Sequence, residues 1–254
     1  MTGIKGLDRM LHGGLPVGNQ IIIEGGPGSG KTLLCFEFLY KGAIKGENGV
    51  LFSFEEDSNS IIENAKTAFS SFTDIDSLIK EGKLIILGSE ETKQYIQKNR
   101  EGNAYTFGGF ISEIDSVTKT HAAKRIAIDS ISVIRLFITD PYDYRSLSTS
   151  LLSVLSRQGI TSLITMEQEA SEKSNIFFQP ESFIYDGLIL LFFTGNDLEN
   201  RIPTIEIVKM RGTEHMYTAV PYEITPSGFN ILLLNTSEKR FVDIPDYDQS
   251  DIIK

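Results

Sequence analysis

Apolar residues in the first two thirds of the chain follow two alternating patterns. Short continuous apolar runs, typical of strands buried on both faces, occur at 20–24, 50–54, 84–87, 125–129 and 160–165. Between these runs, apolar residues recur every three or four positions, which indicates amphipathic helices. The helices are expected at 7–11, from 31, from 58, around 110–117 and around 147–155. This alternation predicts an α/β fold with a mostly parallel central sheet flanked by helices.

The pattern changes in the last third of the chain. Strand-like runs follow one another across short turns that leave no room for helices, and they occur at 188–193, 204–208, 219–224 and 229–234. Such a succession predicts an antiparallel strand extension at the C-terminal side of the sheet. We therefore expect one mixed-sheet domain over residues 1–234.

Three segments are expected to lie outside the regular elements. Residues 88–109 combine clustered charges with a weak pattern, which predicts a mobile or inserted segment. Residues 166–180 predict a polar loop. Residues 235–254 are rich in aspartate and predict an acidic C-terminal tail in solvent, with an acidic docking segment as the alternative.

Composition and charge narrow the class of protein. The chain has 254 residues, of which 41% are hydrophobic, as expected for a globular protein with a sizeable core. No apolar run is long enough for membrane insertion, and Met1–Lys5 lacks the apolar core of a signal peptide. The single cysteine, Cys35, cannot form an internal disulfide and fits a reducing cytoplasm. The net charge of −10 argues against a broad nucleic-acid footprint, although a local basic loop could still bind DNA.

A glycine-rich stretch, GGPGSGKT at residues 25–32, lies between the first predicted strand and a helix. A phosphate-binding loop requires this context, because glycines let backbone N–H groups turn inward around an anion. We expect Lys31 to reach the β- and γ-phosphates of ATP and Thr32 to bind Mg²⁺ through its hydroxyl. A glycine-rich turn that binds nothing is the alternative. The predicted nucleotide-binding residues here are Gly26, Pro27, Gly28, Ser29, Gly30, Lys31, Thr32 and Leu33.

Carboxylates follow two of the predicted strands. Asp129 ends an apolar run and is expected to hold Mg²⁺ beside the phosphate-binding loop, with capping of a turn as the alternative. Glu55 and Glu56 follow the strand at 50–54. We expect Glu55 to act as the general base on the attacking water and Glu56 to support it or join the metal shell. The alternative is that Glu55 and Glu56 only complement the positive N-terminal end of the following helix, but Asp57 fits that role better.

Several segments together resemble the RecA/RadA superfamily and, more narrowly, its KaiC-like branch. Residues 2–8 and 13–18 precede the phosphate-binding loop as they do in that superfamily. Phe54-Glu55-Glu56 resembles the catalytic glutamate pair of the branch, Ile126–Ser130 its Walker B strand, and Lys209–His215 its K-x-R-G-T-x-H signature. The resemblance extends to about residue 234. It implies a single RecA-type P-loop NTPase domain that uses ATP and Mg²⁺.

The resemblance also implies which residues complete the site. Domains of this branch assemble into homo-oligomeric, usually hexameric, rings with ATP between subunits, so Lys209 and Arg211 would reach the γ-phosphate of a neighbouring copy. Cations there stabilise the charge that builds on the phosphoryl oxygens. Thr213 and His215 would contact the neighbouring nucleotide, and Thr67 a base or ribose. Without the resemblance, Lys209 and Arg211 fit a solvated strand edge, and His215 fits a structural role.

Two departures from the branch's pattern limit what it implies. The branch often carries Thr-Glu-Arg where this chain has Met166-Glu167-Gln168, so a sensing or interface arginine is not found there. The two phosphoacceptors of the clock protein that names the branch correspond roughly to Ser182-Phe183, of which only Ser182 has a hydroxyl. The resemblance therefore argues against clock-type sequential autophosphorylation and implies no circadian role.

Three functions fit these observations. The first is a slow, ring-forming ATPase that acts as a regulator or switch through an unidentified protein partner. The second is a RadA-paralogue-like ATPase that binds single-stranded DNA through loops at 131–144 and 166–185. Few cations and a surplus of acids in the second loop disfavour tight binding, although Phe177 and Phe178 could stack bases. The third is a nucleotide-gated scaffold that binds ATP without turnover and docks on a larger machine.

Overall fold

The computed structural model describes residues 1–97, 108–138, 140–168, 180–195, 201–235 and 240–242. Its first strands are the predicted apolar runs, because bulky and β-branched side chains suit strands buried on both faces. They are β1 (Gln20–Gly25), β2 (Gly49–Ser53), β3 (Leu84–Leu87), β4 (Arg125–Asp129) and β5 (Thr161–Glu167). The later strands are β6 (Gly187–Thr194), β7 (Ile202–Met210), β8 (Val220–Thr225), β9 (Gly228–Ile231), β10 (Leu233–Asn235) and β11 (Arg240–Val242).

The helices of the described residues lie mainly between the parallel strands. They are α1 (Leu7–Met10), α2 (Lys31–Ile44), α3 (Ser58–Ala68), α4 (Ile75–Lys80), α5 (Ser89–Gln97), α6 (Gly108–Thr120), α7 (Ser132–Arg135) and α8 (Pro141–Arg157). Side-chain caps fix two of their starts: Asp57 accepts from the Ser60 N–H at 3.0 Å, and Asp140 accepts from the N–H groups of Tyr142 and Asp143. Asp57 therefore serves the helix terminus, as predicted.

Nine strands form one sheet in the order β3-β2-β4-β5-β1-β6-β7-β8-β9. The strands from β3 to β6 are parallel, and β7, β8 and β9 continue the sheet antiparallel. This confirms the predicted α/β class with an antiparallel extension. The order places β1 between β5 and β6, so the carboxyl ends of β1, β4 and β5 meet at one edge, where ligands of open α/β sheets bind.

The sheet separates two apolar clusters, one on each face. Ile21 and Ile23 of β1 pack with α2 on the first face, whereas Ile22 packs with residues of α6 and α8 on the other. The alternation follows from the pleat, which points successive side chains to opposite faces. Both faces of the parallel region are covered, which accounts for the unbroken apolar runs in the sequence.

The structure differs from the sequence-based expectations in two segments. Residues 89–97 form α5 rather than an insertion; the rest of the weakly patterned segment before residue 108 lies outside the described residues. The run predicted as one strand at 229–234 divides between β9 and β10, and β10 pairs with β11 at Arg240–Val242. Strand pairing thus enters the range predicted as an acidic tail, of which residues 243–254 lie outside the described residues.

Candidate active site

The phosphate-binding loop joins β1 to α2 at the carboxyl edge of the sheet. Gly28 and Gly30 have φ values of 76° and 82°, in the left-handed region that glycine adopts without strain. The Lys31 amine curls back over the loop and donates to the carbonyls of Gly25 at 3.0 Å and Gly26 at 3.1 Å. The loop therefore has the curled backbone and inward lysine that a phosphate cradle needs.

A tyrosine from a distant strand supports this loop. Tyr222 of β8 is buried, and its hydroxyl donates to the Ser29 carbonyl at 2.5 Å. On the same side, a Cβ added at Gly30 would come within 2.8 Å of Ile224 and 3.1 Å of Phe229. Sequence reasoning missed Tyr222, because it lies 193 residues from Ser29 in a strand that carries no recognisable nucleotide-binding motif.

Asp129 lies beside the first turn of α2, where the sequence predicted a metal ligand. Its carboxylate accepts hydrogen bonds from the hydroxyls of Thr32 at 2.7 Å and Thr165 at 2.5 Å. The peptide bond between Asp129 and Ser130 is cis. Sequence reasoning did not identify Thr165, which ends up next to Asp129 because β4 and β5 are neighbours in the sheet.

The pair formed by Thr32 and Asp129 fits Mg²⁺. Among the described residues, no group of three His, Cys, Asp or Glu side chains forms a protein-only metal site. Mg²⁺ bound to a nucleotide does not require one, since it uses one or two protein oxygens together with phosphates and water. The hydroxyl and carboxylate oxygens of Thr32 and Asp129, already in contact, supply that donor set.

Glu55 lies close to Asp129, because β2 and β4 are paired with Ser53 opposite Asp129. The Ser53 hydroxyl oxygen accepts from the N–H groups of Glu55 at 3.2 Å and Glu56 at 3.1 Å, which fixes the backbone after the strand. Partial burial, followed by the charges of Asp129 and Glu167, raises the pKa of the Glu55 carboxyl. Ser53 was not identified from the sequence, although a polar residue inside an apolar run was the available signal.

Glu56 and Thr67 occupy the neighbouring helix surface. The Glu56 carboxylate accepts from the side-chain amide of Asn64 in α3 at 2.9 Å. Thr67 lies on the exposed side of the same helix. The structure thus brings Lys31, Thr32, Asp129 and Glu55 together, whereas Glu56 engages α3 in this arrangement.

Lys209 and Arg211 lie at the end of β7, next to the turn that precedes β6. The Lys209 amine donates to the carbonyls of Tyr185 at 2.5 Å and Phe183 at 3.1 Å. Arg211 lies 3.5 Å from the Asp186 carboxylate and from the Phe183 carbonyl. Burial, and then the charge of Arg211, lower the pKa of Lys209.

These two cations are at the opposite end of the sheet from the phosphate-binding loop. The Arg211 N–H donates to the Asp186 carbonyl, and the Asp186 N–H donates to the carbonyl of Gln20, the first residue of β1. The loop follows Gly25, the last residue of that strand. Five strand steps separate the two ends, roughly 16 Å at ~3.3 Å per residue.

Thr213 and His215 follow the two cations. The Thr213 hydroxyl donates to the Leu11 carbonyl at 3.3 Å. His215 is 8% exposed, and its ring lies 4.5 Å from the ring of the exposed Tyr217, measured between centroids. Both residues are at the cation end of the molecule and not at the chain's own phosphate-binding loop.

The fold and this loop define a RecA-type P-loop ATPase domain, and comparisons with known proteins identify the family. A family model described as "ATPase: KaiC" matches residues 1–236. The circadian clock oscillator protein KaiC of Parathermosynechococcus lividus is 34% identical over 241 residues, which cover 93% of this chain and 43% of the relative. The circadian clock protein KaiC3 of Synechocystis sp. is 32% identical over 238 residues, covering 93% and 46%.

A solved structure agrees with this assignment. The KaiC-like protein PH0186 from the hyperthermophilic archaeon Pyrococcus horikoshii OT3 superposes with a TM-score of 0.73 at 30% identity, covering 91% of this chain and 96% of that one. The chain therefore belongs to the KaiC family of ATPase domains. It spans less than half the length of the curated relatives named above.

None of the helices within the described residues is both long and apolar enough to cross a bilayer. This agrees with the absence of a membrane-length apolar run in the sequence.

Proposed function

We propose that this protein is a Mg²⁺-dependent ATPase whose active site is completed by Lys209 and Arg211 of a second copy. The observation that carries the proposal is the separation of these cations from the chain's own phosphate-binding loop. Arg211 is anchored at the start of β1, whereas the loop follows its end. A flexible side chain cannot span the roughly 16 Å between them, so these cations do not serve the chain's own loop and are available to the loop of a second copy.

The residues at the loop account for the chemistry. Glu55 takes a proton from a water molecule as the water oxygen attacks the γ-phosphorus, and the bond from that phosphorus to the bridging oxygen of ADP breaks. Lys31 and the loop N–H groups stabilise the phosphate charge. When Mg²⁺ is bound by Thr32 and Asp129, it neutralises charge on the β- and γ-phosphate oxygens. Raising the pKa of Glu55 makes it a stronger base than an ordinary carboxylate.

The geometry also supports one type of assembly. Because the loop and the cations lie at opposite ends of one chain, a contact that joins them is heterologous, with different surfaces meeting on the two copies. Heterologous contacts close into rings or extend as filaments. Phe183, which is 60% accessible, contributes a carbonyl to the contacts of Lys209, and its exposed ring supplies apolar area for such a contact. We propose a closed ring, in keeping with the family resemblance.

The role that we propose is regulatory, acting through a protein partner. The net charge of −10 makes a nucleic acid a poor target, since DNA binding depends on neutralising phosphates with cations. Nucleotide-dependent assembly would then present or hide a surface for that partner.

Glu55→Gln tests the hydrolytic part of the proposal. The variant should bind Mg-ATP with the affinity of the wild type and lose turnover by on the order of 100-fold or more, since the base is removed while the amide keeps the shape. The matched control is Glu63→Gln on the exposed side of α3, which should hydrolyse normally. Wild-type turnover in Glu55→Gln would overturn the assignment of the base.

Arg211→Ala tests the shared site. Light scattering with Mg-ATP should give a multimer for the wild type, and the variant should bind nucleotide at its own loop without efficient turnover. Full activity in a protein that stays monomeric at the assay concentration would contradict the proposal.

A further inference from the structure

A buried hydrogen bond joins the strand that leads into the phosphate-binding loop to the segment that holds the two cations. The Ser182 hydroxyl donates to the Glu24 carboxylate. Ser182 is 2% exposed and Glu24 is 1% exposed, so the bond is shielded from water. Glu24 directly precedes Gly25, whose carbonyl accepts from the Lys31 amine. One partner of this bond therefore lies next to the nucleotide site without being part of it.

The other partner lies in residues 180–186, which we name the bridge segment. It begins with a 3₁₀ turn at Pro180–Ile184 and leads into β6. A second contact near its start joins Glu181 to Arg135 of α7, the helix that follows Asp129, at 2.7 Å. The beginning of the bridge segment is thus fixed to two elements that adjoin the nucleotide site, β1 before the phosphate-binding loop and α7 after Asp129.

The far end of the bridge segment holds the cations. The carbonyls of Phe183 and Tyr185 accept from the Lys209 amine. One oxygen of the Asp186 carboxylate lies 3.5 Å from Arg211, and the other accepts from the Gln20 N–H at 3.0 Å. The Lys209 ammonium has three donors, so two can stay on the bridge segment while the third points to a phosphate.

The bridge segment therefore spans β1 from one end to the other. Ser182 contacts Glu24 near the carboxyl end of the strand, and Asp186 contacts Gln20 at its amino end. Ser182 and Asp186 are four positions apart in the bridge segment, and their partners Glu24 and Gln20 are also four positions apart in the strand. A change in the position of the Ser182 backbone should move the carbonyls that hold Lys209, because these carbonyls belong to Phe183 and Tyr185, one and three positions after Ser182.

We propose that Ser182 and Glu24 are positioning residues that set the bridge segment, and through it Lys209 and Arg211, for catalysis in the neighbouring copy. This inference rests on the proposed function, in which those cations act on the nucleotide of a neighbour. Each copy would then use the strand next to its own phosphate-binding loop to position the two cations that it supplies to its neighbour. Phosphorylation of Ser182 gains no support from this geometry, since its hydroxyl is buried and bonded to a carboxylate.

Ser182→Ala removes the donor while leaving the backbone and the cations in place. We expect kcat to fall by on the order of 100-fold, because small displacements of catalytic groups have effects of this size, with KM and ADP affinity unchanged. The matched control is Ser148→Ala, which removes another buried hydroxyl, one that donates to the Tyr144 carbonyl in its own helix. Equal turnover in Ser182→Ala and Ser148→Ala would overturn the inference.

Two substitutions at the acceptor separate hydrogen bonding from packing. Glu24→Gln keeps an oxygen that can accept from Ser182, and since burial raises the pKa of Glu24, a neutral amide suits this position. Glu24→Met has a similar volume but no comparable acceptor. Turnover should be retained in Glu24→Gln and lost in Glu24→Met; the opposite order, or loss in both, would count against a positioning hydrogen bond.

A subunit-mixing experiment tests whether the Ser182→Ala defect affects the phosphate-binding loop of the same copy or the cations that this copy supplies to its neighbour. Glu55→Gln copies have intact cations and an inactive base, so they are mixed one to one with Arg211→Ala copies before Mg-ATP is added. Random mixing should restore about one quarter of the wild-type turnover, because one in four contacts pairs an intact base with intact cations. No recovery in this mixture would mean that the proposed function itself fails.

The same mixture is then made with Ser182→Ala in place of Arg211→Ala. Recovery to the same level places the Ser182 defect on the cation side, as inferred. If Arg211→Ala is rescued and Ser182→Ala is not, the Ser182 defect lies in its own phosphate-binding loop or in folding, and the inference is wrong while the proposed function stands.

Discussion

Glu37, in the helix that follows the phosphate-binding loop, accepts a hydrogen bond from the backbone N–H of Phe229 at 2.7 Å. The Glu37 side chain is 1% exposed, and Gly228 packs so closely that an added Cβ would overlap the carboxylate. This contact ties α2 to the β8–β9 hairpin, which also supports the loop through Tyr222. Burial, offset in part by the Phe229 N–H and the charge of Lys41, raises the pKa of Glu37 to about 7.

The raised pKa of Glu37 predicts a pH-dependent stability. The folded protein favours the protonated carboxyl, so this contribution is fully present below pH 4.5 and is lost as the pH rises to about 7. Glu37→Gln mimics the neutral acid and still accepts from Phe229. The difference in the free energy of unfolding between Glu37→Gln and the wild type should therefore change by about 3 kcal/mol in favour of the variant between acid and neutral pH. Urea denaturation at each pH measures this difference.

The control for Glu37 is Glu223→Gln, an exposed glutamate on β8 of the same hairpin. Its stability should follow that of the wild type at every pH. A constant difference between Glu37→Gln and the wild type across pH 4 to 8 would show that Glu37 does not titrate in this way.

Asp129 predicts how nucleotide affinity should respond to metal removal. If Asp129 and Thr32 hold Mg²⁺ on the nucleotide, chelation should weaken ADP binding to the wild type. Asp129→Asn should have similar affinity with and without Mg²⁺, near that of the metal-free wild type, as measured by calorimetry. Thr165→Val is the control, since it removes one hydrogen bond to Asp129 but leaves the charge. An undiminished Mg²⁺ effect in Asp129→Asn would rule out the metal role.

Much of the fold and part of the site could be predicted from local sequence patterns. The phosphate-binding loop could be predicted from the strand before Gly25 and the helix from Lys31, because glycine spacing and apolar periodicity are short-range signals. Asp129 could be identified for the same reason, as a carboxylate ending an apolar run. The observed strand order brings that carboxylate to Thr32, and local periodicity does not contain this order. The family resemblance supplied it.

The rest depended on contacts between residues far apart in the chain. Thr165 reaches Asp129 only because β4 and β5 are adjacent, and Ser182 reaches Glu24 from 158 residues away. No local periodicity carries such a pairing. The helix α5 was missed because its sequence, from Ser89 to Gln97, is largely polar and lacks the apolar repeat that marks a buried helix face.

Tyr222 lies outside the loop, and its removal should affect nucleotide binding through the loop backbone. Its hydroxyl donates to the Ser29 carbonyl and holds that carbonyl away from the phosphate cradle, so that the loop presents N–H groups to the anion. Tyr222→Phe keeps the ring in the core and leaves the Ser29 carbonyl without this partner. A buried hydrogen bond of this kind contributes about 1 kcal/mol, so ADP affinity should fall roughly fivefold, with a comparable loss of stability.

The control for this change is Tyr217→Phe, which removes a hydroxyl from an exposed ring. It should leave both ADP affinity and the free energy of unfolding unchanged in the isolated chain. The two effects of Tyr222→Phe can be separated by measuring affinity well below the unfolding temperature. If Tyr222→Phe lowers stability and leaves affinity intact, Tyr222 stabilises the β8 strand and does not shape the phosphate-binding loop.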